Sequence, residues 1–289
     1  MIKLALYVNY IHDGDITRNK DEFTLVLLLG LGVLSTFVSF LSPSNKTHYN
    51  VYVSCNDERY RKPYIPVDEH LVPLKWLYVA VLVVLPLLIL IVDIILCAGF
   101  PKVKKERKKH KLAKAFEDSC NTLALYYSGL FILMLFCKLS QFLGGTPAPY
   151  FLTLCSPGCS NVTGSYRDET TSRFYITQET CLRAAQEKLR PDTLSSFPSI
   201  HAALTCYAAA FVTIFYYSRG TTSYTRLLQP SIAALFVGLS IVTSMSRINE
   251  YSNHTEDVVG GAGIGILFAA VQITLIGFKE LPEKTTKSQ

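Results

Sequence analysis

"VVGGAGIGILFAAVQITLIGF", residues Val258 to Phe278, contains no Asp, Glu, Lys or Arg. A helix of about 20 apolar residues crosses the hydrocarbon core of a bilayer, so this run predicts a membrane span. Its glycines invite comparison with a nucleotide-binding loop. However, they lie inside an apolar run with no preceding strand and no following lysine, which argues for close helix packing instead. Five more uncharged stretches occur, Phe23–Leu41, Trp76–Val92, Asn121–Cys137, Leu194–Ser218 and Leu227–Met245. With 49% hydrophobic and 17% charged residues, the chain is too apolar for an ordinary soluble domain. Six spans are therefore predicted. The second is expected to extend to Ala98 and to hold Asp93 facing protein or water, because a charge in lipid is costly.

Charge orients the spans. The segment 101–115 between the second and third spans reads PKVKKERKKHKLAKA, with eight basic residues against Glu106 alone. The positive-inside rule places this short segment in the cytoplasm, where it is also suited to contact anionic lipids. Six spans then put both termini in the cytoplasm, with residues 1–22 before the membrane domain 23–278 and residues 279–289 as a short polar tail. The first segment has no small-residue cleavage pattern, so the first span is expected to serve as an uncleaved anchor. The outer loops become 42–75, 144–195 and 246–257. Three N-x-S/T sequons, at Asn45, Asn161 and Asn253, all fall in those outer loops. Asn45 and Asn161 are the expected glycan acceptors, and Asn253 lies too close to the last span.

Four cysteines, Cys55, Cys155, Cys159 and Cys181, lie in outer loops, where an oxidising compartment permits disulfides. Three pairings are open to them. Cys97, Cys120, Cys137 and Cys206 lie in or beside spans and read as packing residues. No Cys/His spacing suggests a metal, and no cofactor or nucleic-acid partner is expected.

Three segments converge on the outer face: QFLGGTPAPYFLTLC from Gln141, SFPSIHAAL from Ser196, and SRINEYSNHTED from Ser246. Together they resemble the lipid phosphate phosphatase branch of the type 2 phosphatidic acid phosphatase (PAP2) superfamily, whose three motifs are K-x6-R-P, P-S-G-H and S-R-x5-H-x3-D. The wording of the segments is most similar to the phospholipid phosphatase-related, or plasticity-related, subgroup. The resemblance implies an all-α, six-transmembrane-helix bundle of PAP2 type with an outward-facing site. It also implies, for a working member, a third-motif histidine attacking phosphorus, an aspartate orienting it and a second-motif histidine protonating the leaving group. Basic residues and a serine would hold the phosphoryl oxygens. Such chemistry needs a nucleophile, an acid and positive charge where the transition state is negative.

This sequence departs from that pattern. In the third motif Ser246, Arg247 and Asp257 match, but Asn253 stands at the nucleophile position. An amide has no basic lone pair with which to form a phosphoramidate. His254 is the neighbouring alternative; on a continuing helix it would be rotated about 100° from Asn253, spoiling its alignment with Asp257 while leaving an i+3 contact open. In the second motif Ser199 and His201 match, but Ile200 replaces glycine and narrows the phosphate approach. In the first, Gln141 and Ala148 stand where lysine and arginine are expected. Arg183 and Arg190-Pro191 imitate that motif from within an outer loop.

The expectation is therefore a noncatalytic plasma-membrane protein acting in phospholipid or lysophospholipid binding and signalling, with membrane-protein partners. Ser199 and Arg247 would be the residual phosphate contacts. The competing expectation is an active phosphatidate or lysophosphatidate phosphatase that uses His254.

Overall fold

The computed structural model describes residues 52–98, 105–160, 166–167, 174–177, 195–218 and 225–276. The predicted span 23–41, the sequons at Asn45 and Asn161, Cys181, the imitation motif at Arg183 and Arg190, and the tail lie outside the described residues.

Among the described residues, four segments are long and apolar enough to cross a membrane: Leu74–Val92, Thr122–Gly144, Gln229–Asn249 and Thr255–Thr274. They match the second, third, fifth and sixth predicted spans. A shorter apolar helix, Ile200–Ile214, falls within the fourth. The chain is thus a helical integral membrane protein. In chain order its helices are α1 (Leu74–Val79), α2 (Leu85–Ala98), α3 (Lys105–Gly144), α4 (Phe151–Ser160), α5 (Ile200–Ser218), α6 (Thr225–Asn249) and α7 (Thr255–Ile276). The basic segment expected as a loop is helical from Lys105 onward and runs without a break into the third span.

Between α1 and α2 a π-helical turn, Ala80–Val84, keeps the rod continuous. Its cause is readable in the sequence. Pro86 has no N–H, and the Leu85 N–H bonds to the Ala80 carbonyl, so the Val81 and Leu82 carbonyls lose their usual donors. In a membrane such groups must be satisfied from within the protein. Two consecutive tyrosines of α3 do so: Tyr126 Oη donates to Val81 O at 2.9 Å and Tyr127 Oη to Leu82 O at 2.7 Å.

Helix α5 lies at the centre and contacts α7, α6, α3 and the π turn. Its Ala203, Leu204, Tyr207 and Phe211 are fully buried against Leu77, Val81, Tyr126, Leu130, Ala269 and Ile273. In contrast, Val84 and Ile91 beside Pro86, and Leu239 and Val242 of α6, are about half exposed, as lipid-facing positions are. The closest packing is α5 on α7. A Cβ at Gly261 would stand 2.5 Å from Ser199 O, and one at Gly265 would stand 2.2 Å from Ala203 O. Only glycine permits that approach.

At one end of the helices, formed by segments expected as outer loops, sits a further layer that the all-helical expectation did not include. Strands β1 (Tyr52–Ser54), β2 (Tyr166–Arg167) and β3 (Phe174–Thr177) form an antiparallel sheet in the order β1-β3-β2, with Val53 opposite Ile176 and Tyr166 opposite Tyr175. Val53, Cys55 and Ile176 pack on Phe151, Leu152 and Cys155 of α4. Cys55 and Cys155 are each disulfide-bonded, as expected for outer-loop cysteines. Cys120, Cys137 and Cys206 are free thiols.

Candidate functional site

The three segments singled out in the sequence meet where α3, α5 and α7 approach the layer that holds the sheet. The polar network begins with the turn between α6 and α7. The N–H groups of Ser252 and Asn253 both donate to the Arg247 carbonyl, at 3.0 and 3.2 Å, and Tyr251 adopts a left-handed φ of 52° to make the turn. His254 then caps α7. Its N–H donates to Asp257 Oδ2 at 2.9 Å, the reach-back of a helix-capping side chain.

That cap changes the geometry expected for His254. Because His254 stands at the helix boundary and not within a continuous helix, its ring turns back onto Asp257, with Nδ1 3.1 Å from Oδ2. The predicted misalignment is therefore corrected: a histidine–aspartate pair exists, one residue later than the family motif places it. The His254 ring meets Tyr60 edge-on at 5.4 Å. Among the described residues its Nε2 makes no hydrogen bond.

Asn253, at the nucleophile position, is held by the entry to α5. Its Nδ2 donates to the Ser196 carbonyl at 2.7 Å, and its Oδ1 accepts from Ser199 Oγ at 3.3 Å. Ser196 Oγ donates to Asp257 Oδ2, and the Ser199 N–H donates to the Asp257 carbonyl at 3.1 Å. Ser196, Ser199, Asn253 and Asp257 thus form a closed lattice around the cis Phe197–Pro198 peptide.

His201 is directed away from this lattice. Its Nε2 lies 3.2 Å from the Val72 carbonyl, an acceptor that requires Nε2 to carry the proton. The first segment contributes structure where the family pattern has charge. Gln141 Nε2 donates to the Pro198 carbonyl at 3.0 Å, and Ala148, at the position of the expected arginine, is fully buried.

Arg247 has two partners that sequence reading missed. Its guanidinium lies 3.2 Å from Glu250 Oε2 and 3.3 to 3.4 Å from His70 Nδ1. His70 Nε2 in turn lies 3.2 Å from the Ile65 carbonyl. The imidazole must therefore be neutral, with Nε2 donating and Nδ1 accepting. Burial and then the Arg247 charge hold its pKa below the usual imidazole value. Glu250 was visible inside the third motif as an acid three residues beyond Arg247. His70 is 177 residues away in sequence and left no signal.

The segment around His70 reaches all three motif regions. The Lys62 N–H donates to the Pro149 carbonyl at 3.0 Å, Arg59 pairs with Glu256 at 3.1 Å, and the Leu71 N–H donates to Glu250 Oε1 at 2.7 Å. Chemically, the site offers one histidine–aspartate pair, one guanidinium already paired, and an amide in place of a nucleophile. Among the described residues no group of three or more His, Cys, Asp or Glu side chains is placed to hold a metal.

Comparison with known proteins gives a matching picture. The profile described as "PAP2 superfamily" matches residues 122–280. The chain is 28% identical to phospholipid phosphatase-related protein type 5 of Mus musculus over 272 residues, covering 88% of this chain and 80% of the relative. The Homo sapiens type 5 protein is 27% identical over 279 residues, covering 90% and 82%. Type 4 of Rattus norvegicus is 33% identical over 143 residues, which is 50% of this chain and 18% of that protein. No solved structure matches the chain.

Proposed function

The chain belongs to the PAP2 superfamily, and from that premise we propose that it is a catalytically silent relative of the lipid phosphate phosphatases. It resides in the plasma membrane with both termini in the cytoplasm. There it engages phospholipids or lysophospholipids, or membrane-protein partners, through its outer face. Asn45 and Asn161 carry glycans in this reading.

The observation that carries the proposal is the state of Asn253. An amide stands at the nucleophile position and spends its donor on Ser196 and its acceptor on Ser199. The other chemical groups are similarly committed: His201 to a backbone carbonyl and Arg247 to Glu250 and His70. General acid–base assistance is worth about 10²- to 10⁴-fold, and loss of the covalent nucleophile removes the main route as well. Ser199 and Arg247 are the phosphate contacts in this reading, once their present partners are displaced.

One observation favours a second reading, in which the protein releases phosphate from phosphatidate or lysophosphatidate. The contact between His254 and Asp257 supplies an oriented imidazole. Turnover would then proceed through Nε2 of His254, with Asp257 holding Nδ1.

Phosphate release from phosphatidate, lysophosphatidate and sphingosine 1-phosphate by the full chain in nanodiscs separates the two. The proposal expects no release above that of His254→Ala and His201→Ala variants. Turnover abolished by His254→Ala would overturn it in favour of the second reading.

A further inference from the structure

Three consecutive residues before α1 each take one polar group from the site. His70 Nδ1 accepts from both terminal nitrogens of Arg247, the Leu71 N–H donates to Glu250 Oε1, and the Val72 carbonyl accepts from His201. Glu250 completes the arrangement by setting its carboxylate 3.2 Å from Arg247. A carboxylate and a phosphate both bring negative oxygen to a guanidinium, and the Glu250 oxygen already stands at ion-pair distance. We infer that Glu250 is an internal anion occupying the phosphate subsite of Arg247, and that His70–Leu71–Val72 is the strap that holds it closed.

The inference rests on the reading of Arg247 as a phosphate contact and concerns how that contact is controlled. Arg247 is 4% exposed, so it makes few alternative contacts with water. Its Nε has no hydrogen-bond partner among the described residues, nor do Ser252 Oγ and Glu250 Oε2, so Glu250 meets the guanidinium as an ion pair without a hydrogen bond. The pairing with Glu250 thus leaves donor capacity unused. A phosphomonoester entering this subsite meets the Glu250 carboxylate first, and like charges brought together at a buried site oppose binding. Binding therefore requires the carboxylate to swing away or lose its charge. The ligand class is a phosphomonoester, either the headgroup of phosphatidate or lysophosphatidate or free phosphate.

The strap is fastened at several points. Arg59 pairs with Glu256, Lys62 bonds to Pro149, and Thr153 Oγ1 donates to the Lys62 carbonyl at 2.6 Å. Tyr60 lies against His254. Release of this one segment would free Arg247, Glu250 and His201 together.

Glu250→Gln tests the inference most directly. It retains an acceptor for the Leu71 N–H and removes the charge. Wild type, Glu250→Gln, His70→Ala and Glu250→Gln combined with Arg247→Gln are reconstituted in phosphatidylcholine nanodiscs. They are then titrated with lysophosphatidate and, separately, with inorganic phosphate, and each variant's fold is checked by its melting transition. The expected result is that Glu250→Gln binds lysophosphatidate on the order of tenfold or more tightly than wild type, with the gain lost in the double variant. His70→Ala gains less. A parallel gain for inorganic phosphate identifies a bare anion subsite, whereas a gain for lysophosphatidate alone identifies a headgroup site; both support the seal. Should Glu250→Gln fail to fold, His70→Ala decides, because it removes the strap's hold on Arg247 and lets the Glu250–Arg247 pair part. Equal affinity in wild type and both opening variants overturns the seal. If that common affinity falls in the double variant, the proposed lipid-binding function survives without it. Absence of binding in every variant removes both.

Discussion

Gly265→Ala, set against Gly263→Ala, measures how tightly the centre of the protein is drawn together. A Cβ at Gly265 would stand 2.2 Å from the Ala203 carbonyl oxygen and 3.0 Å from the Tyr207 nitrogen. These obstacles are backbone atoms, so no side-chain rotation relieves the clash, and α5 and α7 must part by about 1 Å. Overpacking of this kind costs about 1–3 kcal/mol. At Gly263, one turn-half away on the same helix, nothing lies within 4 Å. Both substitutions gain the same helix propensity, about 1 kcal/mol for Gly→Ala. Propensity cancels in the comparison, so the difference in stability between the variants is the clash, about 1–3 kcal/mol. Thermal unfolding in one detergent should therefore give wild type or better for Gly263→Ala and a lower transition for Gly265→Ala. The displacement also reaches the site, because Ser199 immediately precedes α5 and its bond to Asn253 is already long at 3.3 Å. Equal melting temperatures for the two alanine variants would refute the packing argument.

Two further outcomes follow from the site. His70 is held neutral by burial and by Arg247, with Glu250 at 4.0 Å as the only acid facing it among the described residues. Its folded-state pKa lies below the unfolded one, so its contribution to stability is complete above the ordinary imidazole value and is lost as pH falls through that value toward the lower folded one. Melting temperature should drop between pH 7.5 and 5.5, and His70→Gln should flatten the drop; an unchanged slope in the variant counts against the Arg247–His70 contact. Asn253 lies in an N-x-T sequon, but its Nδ2 is engaged with Ser196 at 2.7 Å. Peptide mass spectrometry of protein from a glycosylating host should find Asn253 unmodified, and a glycan there would mean the lattice opens.

The helices were legible because membrane solvent imposes one rule on long segments: uncharged runs of sufficient length must be helical. The runs ending at Val92 and Phe278 needed no further information. The glycine run was likewise readable as a packing device, although not that Gly261 and Gly265 oppose Ser199 and Ala203 in particular. The small sheet was not legible. Its strands are two to four residues long, and β1 pairs with a segment more than 100 residues later, so no local periodicity announces it.

At the site, the motif register singled out Ser199, His201, Arg247, Asn253 and Asp257; Ser199, Asn253 and Asp257 share one network, whereas the side chains of His201 and Arg247 turn to Val72, His70 and Glu250. The environment of each was less accessible. His254 was judged on the assumption of a continuous helix, whereas Tyr251 breaks the helix and His254 begins the next one. His201 stands at the family's acid position, where a bond to backbone was equally open, and it bonds to Val72 in a segment that reads as an ordinary polar loop. A long-range backbone contact of this kind has no sequence signature, since any residue supplies a carbonyl.

Helix α3 has a mechanical consequence. It comprises 40 residues, which at about 1.5 Å per residue is roughly 60 Å, twice the hydrocarbon thickness of a bilayer. No proline interrupts it, and Gly129, its one interior glycine, is overlaid by Tyr207. It is therefore a shaft without a hinge, with the lysine-rich end at Lys105 and, in its last turn, Gln141 fixed to the Pro198 carbonyl beside Ser199. A tilt or twist imposed at the lysine-rich end is therefore carried by one unbroken helix to the peptide that precedes Ser199.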